Sequence, residues 1–104
     1  MAKVVWTEAA LSDLHDIMEY IAKDSAGYAE RFGTRVVQAP RRLRQSPRSG
    51  RIVPEFNDQT IREIIYGSYR IIYKSKDQTC FIVAVIHGSR DILKHLKPGE
   101  WNIE

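Results

Sequence analysis

The sequence predicts a single α+β domain over residues 1–104, in which a helical hairpin packs on a small twisted antiparallel sheet. The first half of the chain repeats apolar residues at three- and four-residue spacing, which is the period of an amphipathic helix. The second half has short runs rich in Ile, Val and Tyr, separated by turn residues, which is typical of strands. The expected element order is therefore β-α-α-β-β-β, with the helices against one face of the sheet.

The first part of the chain is expected to form a strand over residues 3–6 and then two helices. Thr7 is a candidate N-cap, because its hydroxyl can accept a hydrogen bond from a free amide of the first turn. The first helix should end close to Ser25, which can cap the second. Pro40 has no amide proton and clashes with the preceding turn, so we expect the second helix to break near Ala39.

The second part is expected to be an antiparallel meander. Its three strands are predicted over residues 61–65, 69–74 and 79–86. Gly67 followed by Ser68 suits the type II′ turn of a two-residue hairpin loop, and residues 76–78 supply the next turn. A short helix is expected over residues 91–96.

Composition excludes several classes of protein. No run approaches the roughly 20 apolar residues of a membrane span, and the N-terminus has no signal-peptide pattern. Cys80 is the only cysteine, which excludes an internal disulfide and a cysteine-based zinc site. His15, His87 and His95 lack metal-ligand spacing. We therefore expect a cytoplasmic protein with no membrane contact, no metal and no cofactor.

The formal net charge is only +3, but its distribution is uneven. Five arginines lie within eleven residues, at Arg41, Arg42, Arg44, Arg48 and Arg51. Such a segment can attract nucleic acid or an acidic partner. The alternative is a solvated helix face with no binding role.

Short motifs follow one another along most of the chain. They are Trp6-Thr7-Glu8-Ala9-Ala10, Gly50-Arg51-Ile52-Val53-Pro54-Glu55, Ile61-Arg62-Glu63-Ile64-Ile65, Tyr69-Arg70-Ile71-Ile72-Tyr73 and Val85-Ile86-His87-Gly88-Ser89-Arg90-Asp91. From about residue 3 to 93, this series resembles the ParE branch of the RelE/ParE toxin superfamily. The resemblance implies the toxin of a bacterial type II toxin–antitoxin system, of the plasmid-stabilisation kind, kept silent by a co-expressed antitoxin.

The superfamily includes two activities. RelE-like members are described as ribosome-dependent endoribonucleases that cut mRNA, and ParE-like members as inhibitors of DNA gyrase. Both branches share one fold, so the fold does not choose between them. A third alternative is a non-catalytic binding module that regulates its own operon together with a partner.

RNA cleavage by a 2′-hydroxyl needs a base, an acid and cations that hold the phosphate. The resemblance to RelE-like enzymes matches two of their arginines to Arg70 and Arg90 in this chain. The two lysine positions of those enzymes fall on Ile61 and Glu63, and their C-terminal tyrosine has no counterpart in residues 94–96. Because half of the cation set is missing, the sequence favours the gyrase inhibitor, which is not an enzyme.

Some relatives use a glutamate and a histidine instead, so Glu63 and His87 are the alternative catalytic pair, with Arg70 and Arg90 binding phosphate. The competing interpretation is structural. A two-residue turn at residues 67–68 would place Glu63 and Arg70 as diagonal neighbours on one face of the hairpin, within reach of a salt bridge.

The resemblance also implies a partner, since the antitoxins of such systems bind through a C-terminal segment that folds around the toxin and can extend a sheet edge. The candidate antitoxin contacts are Arg41, Arg42, Arg44 and Trp6, the last on the expected edge strand. The candidate contacts with DNA gyrase, or with the ribosome and mRNA in the alternative, are Arg62, Tyr73 and Trp101. A homodimer and a toxin–antitoxin heterotetramer are both compatible with the sequence.

Overall fold

The structure is a computed structural model that describes residues 1–96 of the 104-residue chain. In chain order its elements are β1 (Lys3–Trp6), α1 (Glu8–Ala22), α2 (Ala26–Gln38), a 3-10 helix (Ala39–Arg44), β2 (Arg51–Ile52), β3 (Ile61–Tyr66), β4 (Tyr69–Lys76), β5 (Thr79–His87) and α3 (Ile92–His95). The predicted α+β class and the helical hairpin are confirmed.

Both predicted helix caps are present. The Thr7 hydroxyl accepts a hydrogen bond from the Ala10 amide at 3.2 Å and donates to the Ile82 carbonyl at 2.8 Å. The Ser25 hydroxyl accepts from the Tyr28 amide at 3.1 Å. Thr7 therefore fixes the start of α1 and also ties it to β5, which sets the position of the hairpin on the sheet.

The predicted break at Ala39 is also confirmed. The α-helix gives way there to the 3-10 helix, whose first turn holds Pro40. A proline fits this position because its missing amide proton has no partner to lose at a helix start. Pro40 and Leu43 are buried, so the 3-10 helix directs its apolar side inward and leaves its arginines outside.

The sheet has five strands in the order β1-β5-β4-β3-β2. Strands β3, β4 and β5 form the predicted antiparallel meander. Strand β1 pairs with β5 in parallel, so the sheet is mixed rather than wholly antiparallel. Strand β2 was not predicted, because a two-residue strand is too short to show any periodicity.

The two hairpin turns use residues with positive φ. Gly67 has φ +57°, while Ser68 is not in the positive-φ region, as a type II′ turn requires. Asp77 and Gln78 have φ 51° and 61°, which is the pattern of a type I′ turn.

Two apolar clusters lie on opposite faces of the sheet. The helix-side cluster joins the hairpin to the sheet and includes Leu14, Phe32, Val36, Ile71 and Val85. The opposite cluster includes Val53, Ile61, Ile72, Ile86 and Ile92, so it is covered by the 53–60 loop and by α3. Each face of the central strands is therefore buried, which fixes their register. Among residues 1–96, no helix is both long and apolar enough to cross a bilayer.

Candidate functional site

Glu63 is a fully buried carboxylate between two arginines. Its side chain has no exposed area. One oxygen, Oε1, accepts a hydrogen bond from Arg70 Nε at 2.5 Å, and the other, Oε2, accepts from Arg51 Nε at 2.6 Å. Removing a carboxylate from water is costly unless its charge is paired and both oxygens are hydrogen-bonded, and both conditions are met at Glu63.

A second carboxylate occupies the other end of the Arg70 guanidinium. Arg70 Nη1 and Nη2 donate to the two oxygens of Glu55 at 2.9 and 2.8 Å, in a bidentate arrangement. This hydrogen bonding lowers the pKa of Glu55 and raises that of Arg70. The Arg70 side chain is only 9% exposed. All three nitrogens of the Arg70 guanidinium thus donate hydrogen bonds to carboxylates of the same chain.

Strand register explains most of this network. Glu63 lies opposite Ile72, and Ile65 lies opposite Arg70, so Glu63 and Arg70 are diagonal neighbours, as the turn at residues 67–68 predicts. The pairing of β2 with β3 places Arg51 directly opposite Glu63. Sequence analysis missed Arg51 and Glu55 as members of the network, because β2 and the 53–60 loop carry no periodic pattern.

His87 lies on the other face of the sheet. It is paired with Tyr69, which is adjacent to Arg70 along β4, so His87 and Arg70 project to opposite sides. The Tyr69 ring is 5.2 Å from the His87 ring and 5.0 Å from that of Phe32, on the helix side. The expectation of a Glu63–His87 catalytic pair is therefore corrected, since the sheet separates the two side chains.

His87 lines a groove of about 670 Å³ between α1 and the end of β5. The groove is lined by Asp13, Asp16, Ile17, Tyr20, Tyr69, Val85, Ile86, His87, Ser89, Arg90 and His95. The Ser89 amide donates to His87 Nδ1 at 3.1 Å, and the Ser89 hydroxyl lies 2.7 Å from the same atom. An accepting Nδ1 places the hydrogen of the neutral ring on Nε2, so this histidine can donate a hydrogen bond from Nε2.

Asp13 anchors the groove. Its Oδ2 accepts a hydrogen bond from the Val85 amide of β5 at 3.0 Å. His95 Nε2 of α3 lies 3.2 Å from both oxygens of the same carboxylate. One side chain of α1 therefore holds both β5 and α3, and sequence analysis did not identify it. Asp13 and Asp16 also bring negative charge beside His87 and Arg90.

The four candidates for RNA cleavage thus form two separate pairs. Glu63 and Arg70 lie in the buried network, and His87 and Arg90 line the groove, where the Arg90 amide donates to the His87 carbonyl at 3.0 Å. Among residues 1–96, no three His, Cys, Asp or Glu side chains are grouped so as to hold a metal ion.

Tyr73 is fully buried, so the expectation that it contacts a target is corrected. Its hydroxyl donates to the Pro47 carbonyl at 2.8 Å and accepts from the Gly50 amide at 3.1 Å. Burial raises the pKa of this hydroxyl. Gly50 also approaches closely enough that a Cβ would lie 2.7 Å from the Tyr73 hydroxyl and from the Glu63 carbonyl. Tyr73 therefore holds the 46–50 loop.

Arg62 is half-buried and supports the same loop. Its Nε donates to the Gln59 carbonyl at 3.0 Å, and its Nη1 donates to the carbonyls of Gly50 at 3.0 Å and Arg48 at 3.3 Å. Arg62 is thus partly occupied with backbone, although some of it remains accessible. Trp101, the third candidate target contact, lies outside the described residues.

The candidate antitoxin contacts lie on the surface. Arg41, Arg42 and Arg44 are exposed on the 3-10 helix, and Arg42 Nε donates to the Ser49 hydroxyl at 3.3 Å. Trp6 is half-buried against the helix-side cluster. It belongs to β1, which is an edge strand as expected.

Comparison with known proteins places this geometry in a family. The family model described as "ParE toxin of type II toxin-antitoxin system, parDE" matches residues 4–92. Toxin RelE2 of Caulobacter vibrioides is 36% identical over 91 residues, which are 86% of this chain and 99% of that toxin.

Two solved structures have the same architecture. The chromosomal ParDE toxin–antitoxin system from P. aeruginosa superposes with a TM-score of 0.70 at 19% identity, over 84% of this chain and 96% of that chain. The toxin–antitoxin complex RelBE2 from Mycobacterium tuberculosis superposes with a TM-score of 0.58 at 26% identity, over 83% of this chain and 96% of that chain. Because the family model spans most of its length, this chain belongs to the ParE toxin family of type II toxin–antitoxin systems, within the RelE/ParE superfamily.

Proposed function

We propose that this chain is the active toxin of its pair, that a cognate antitoxin neutralises it in the cytoplasm, and that it inhibits DNA gyrase rather than cutting mRNA. The observation that favours gyrase over mRNA is the hydrogen bonding of Arg70, whose three nitrogens all donate to Glu55 and Glu63. In the RelE-like interpretation, this arginine has to hold the phosphate of the RNA.

The electrostatics of the network argue against phosphate binding. Arg51 and Arg70 are balanced by Glu55 and Glu63, so the group has no net formal charge. A phosphodiester would have to displace the bidentate carboxylate of Glu55 from Arg70, and it would then lie close to the buried carboxylate of Glu63. Ile61, which the resemblance matches to a lysine of RelE-like enzymes, is buried and has no charge. Catalysis of phosphoryl chemistry relies on preorganised positive charge, which this network lacks.

One observation favours RNA cleavage as a second candidate function. His87 and Arg90 line one groove, and the His87 ring presents an N–H at Nε2, so the pair offers a hydrogen-bond donor and a cation to a phosphate. Asp13 and Asp16 lie in the same groove and repel a phosphodiester. We therefore keep this function as the alternative that the assays below distinguish.

Exposed apolar side chains support an antitoxin partner. Leu11, Tyr20, Tyr28 and Val37 are 37–70% exposed on the helical hairpin, and Val5 is 40% exposed on β1. An apolar surface of this kind is typical of a face that a partner covers. We propose that the antitoxin wraps the hairpin and contacts Trp6, Arg41, Arg42 and Arg44. The M. tuberculosis relative is itself a toxin–antitoxin complex, which supports such a partner.

The test uses purified protein freed from antitoxin in two parallel assays. One measures supercoiling of a plasmid by DNA gyrase, and the other maps mRNA ends by primer extension during translation. We expect blocked supercoiling, or trapped cleaved DNA, together with intact mRNA. Cleaved mRNA with normal supercoiling would overturn the proposal.

Variants of the groove residues distinguish the two candidate functions. His87→Gln/Arg90→Gln removes the imidazole and the cation of the alternative mechanism, and Glu8→Gln/Arg35→Gln serves as a control at exposed helix positions. If mRNA is cleaved and only the groove variant stops the cleavage, the second candidate function holds. Expression in bacteria without the antitoxin should arrest growth, whereas a passive regulatory module would leave growth unchanged.

A further inference from the structure

Charge is segregated along this chain, and the proposed function uses only part of the positive segment. The helical hairpin, residues 8–38, has six carboxylates and three basic residues, whereas residues 39–62 have six arginines and two carboxylates. This positive region includes the 3-10 helix, the 46–50 loop and the start of β3. A local excess of this size creates a positive potential at the surface that these residues form.

Three of these arginines are joined through one loop. Arg42 Nε donates to the Ser49 hydroxyl, Arg48 Nη2 donates to the Gln59 side chain at 3.1 Å, and Arg62 Nη1 donates to the Arg48 carbonyl. We call Arg42, Arg48 and Arg62 the loop arginine cluster. The buried Tyr73 hydroxyl is hydrogen-bonded to two backbone groups of the 46–50 loop, so the loop that joins the cluster is held in place.

The loop arginine cluster lacks anionic partners. Within residues 1–96, no carboxylate lies within 4 Å of its three guanidinium groups, whereas the neighbouring Arg51 is paired with Glu63. Arg42 Nη1 and Nη2 make no hydrogen bond to the described part of the chain. Like charges held together without a counter-charge repel one another, and a bound polyanion relieves that repulsion.

We propose that the loop arginine cluster binds the phosphate backbone of duplex DNA. Guanidinium groups match phosphate oxygens in a planar, bidentate fashion, and the cluster contains arginine and no lysine. This activity is separate from gyrase inhibition and does not require it. Arg42 also belongs to the proposed antitoxin surface, whereas Arg48 and Arg62 do not.

The surroundings of the cluster favour duplex DNA over two other polyanions. The large exposed apolar side chains of the described residues all lie outside residues 39–62, so an acidic peptide would find no apolar anchor beside the cluster. Phe56 is the only aromatic residue between 39 and 62, and it packs against the apolar cluster under α3. Single-stranded RNA binds proteins largely by stacking on exposed aromatic rings, and this face does not supply them.

The experiment is fluorescence anisotropy with the antitoxin-free protein and two labelled duplexes of unrelated sequence, roughly 20 base pairs long, in about 50 and 200 mM salt. We expect similar affinity for both duplexes and a steep loss of affinity with salt. Arg42→Ala/Arg48→Ala should lower affinity about tenfold per arginine at the lower salt and reduce the slope of log K against log salt by about 2. Arg62 stays in place because it supports the loop.

The matched control is Arg31→Ala/Arg35→Ala on the exposed side of α2, which removes the same charge and should change affinity less than about threefold. Arg42→Lys/Arg48→Lys keeps the charge and should retain the salt slope, which separates lost phosphate contacts from a damaged loop. Equal losses in the two alanine variants would overturn the proposal. So would tighter binding of a single-stranded RNA, or of a polyglutamate peptide of matched charge, than of the duplexes.

Discussion

Glu63 supports the sheet through its charge, and the structure shows how it does so. The carboxylate is buried, and it binds Arg51 and Arg70. Arg70 is thereby held as part of the sheet's internal support. A buried carboxylate bound by two arginines is costly to disturb, so the residue is expected to matter for stability.

We expect Glu63→Ala to destabilise the fold by about 3 kcal/mol, because the buried Arg70 loses one of its two carboxylates and Arg51 loses the carboxylate that it binds. Urea denaturation measures the loss. The control is Glu19→Ala, whose side chain is 67% exposed, and it should change stability by less than about 0.5 kcal/mol. A loss at Glu63 as small as that of the control would mean that the buried network contributes no net stability.

Glu55 gives the network a pH dependence. Its hydrogen bonds with Arg70 lower its pKa below the ordinary value of 4.5. A carboxylate with a lowered folded-state pKa adds stability that is fully present above the unfolded pKa and is lost as the pH falls through the folded pKa. The stability difference between the native protein and Glu55→Gln should therefore be constant above pH 4.5 and shrink below it. Urea denaturation across this range checks the expectation, and a difference that does not change with pH would contradict it.

At this scale the sequence predicts a contact when the turn between two strands sets their register. The Glu63–Arg70 pair follows from the two-residue turn at residues 67–68. Arg51 and Glu55 could not be predicted, since they approach from a two-residue strand and an irregular loop. Tyr73 was a candidate target contact, but it is buried on the same face of β4 as Ile71, two residues earlier, as strand alternation places it.

Among the elements, α1 is joined to the sheet by the carboxylate of Asp13. Asp13→Ala should cost about 1–2 kcal/mol, because the part-buried Val85 amide loses its acceptor and His95 of α3 loses its partner. Asp13→Asn keeps an acceptor oxygen and should lose less.

Urea denaturation gives the energy of this change, and hydrogen exchange at the Val85 amide gives its location. Asp16→Ala, one turn away on the exposed side of α1, is the control. Unchanged exchange at Val85 in the Asp13→Ala variant would show that this contact does not hold β5.

The sequence predicts elements that have a regular apolar spacing or a residue that starts or ends a helix. It does not predict features that depend on pairing between distant parts of the chain. Thr7, Ser25 and Pro40 mark helix boundaries through local chemistry, and all three act as expected. Whether β1 runs parallel or antiparallel to β5 depends on the path of the chain between them, which includes both helices and three strands. A four-residue edge strand carries no sign of that direction, so its parallel pairing appears only in the structure.

For the molecule as a whole, the separation of charge makes the helical hairpin and the 3-10 helix chemically different. The hairpin presents carboxylates and exposed apolar side chains, and the 3-10 helix presents arginines. An antitoxin segment that contacts both regions needs apolar residues for the hairpin and acidic residues for the 3-10 helix. Apolar burial would supply most of the affinity, and the charges would supply orientation and rate of association.

Charge reversal tests the electrostatic part of that expectation. Arg41→Glu/Arg42→Glu should weaken antitoxin binding by about tenfold or more at low salt, because an acidic segment would face repulsion where it now finds attraction. The effect should shrink as salt rises past the point where the screening length falls below about 10 Å. Isothermal titration calorimetry measures the affinity, and Lys76→Glu/Lys94→Glu makes the same charge change at other exposed positions. If the arginine variant binds as tightly as the native protein at low salt, the 3-10 helix is not part of the antitoxin interface, and apolar contacts along the hairpin and β1 must account for recognition.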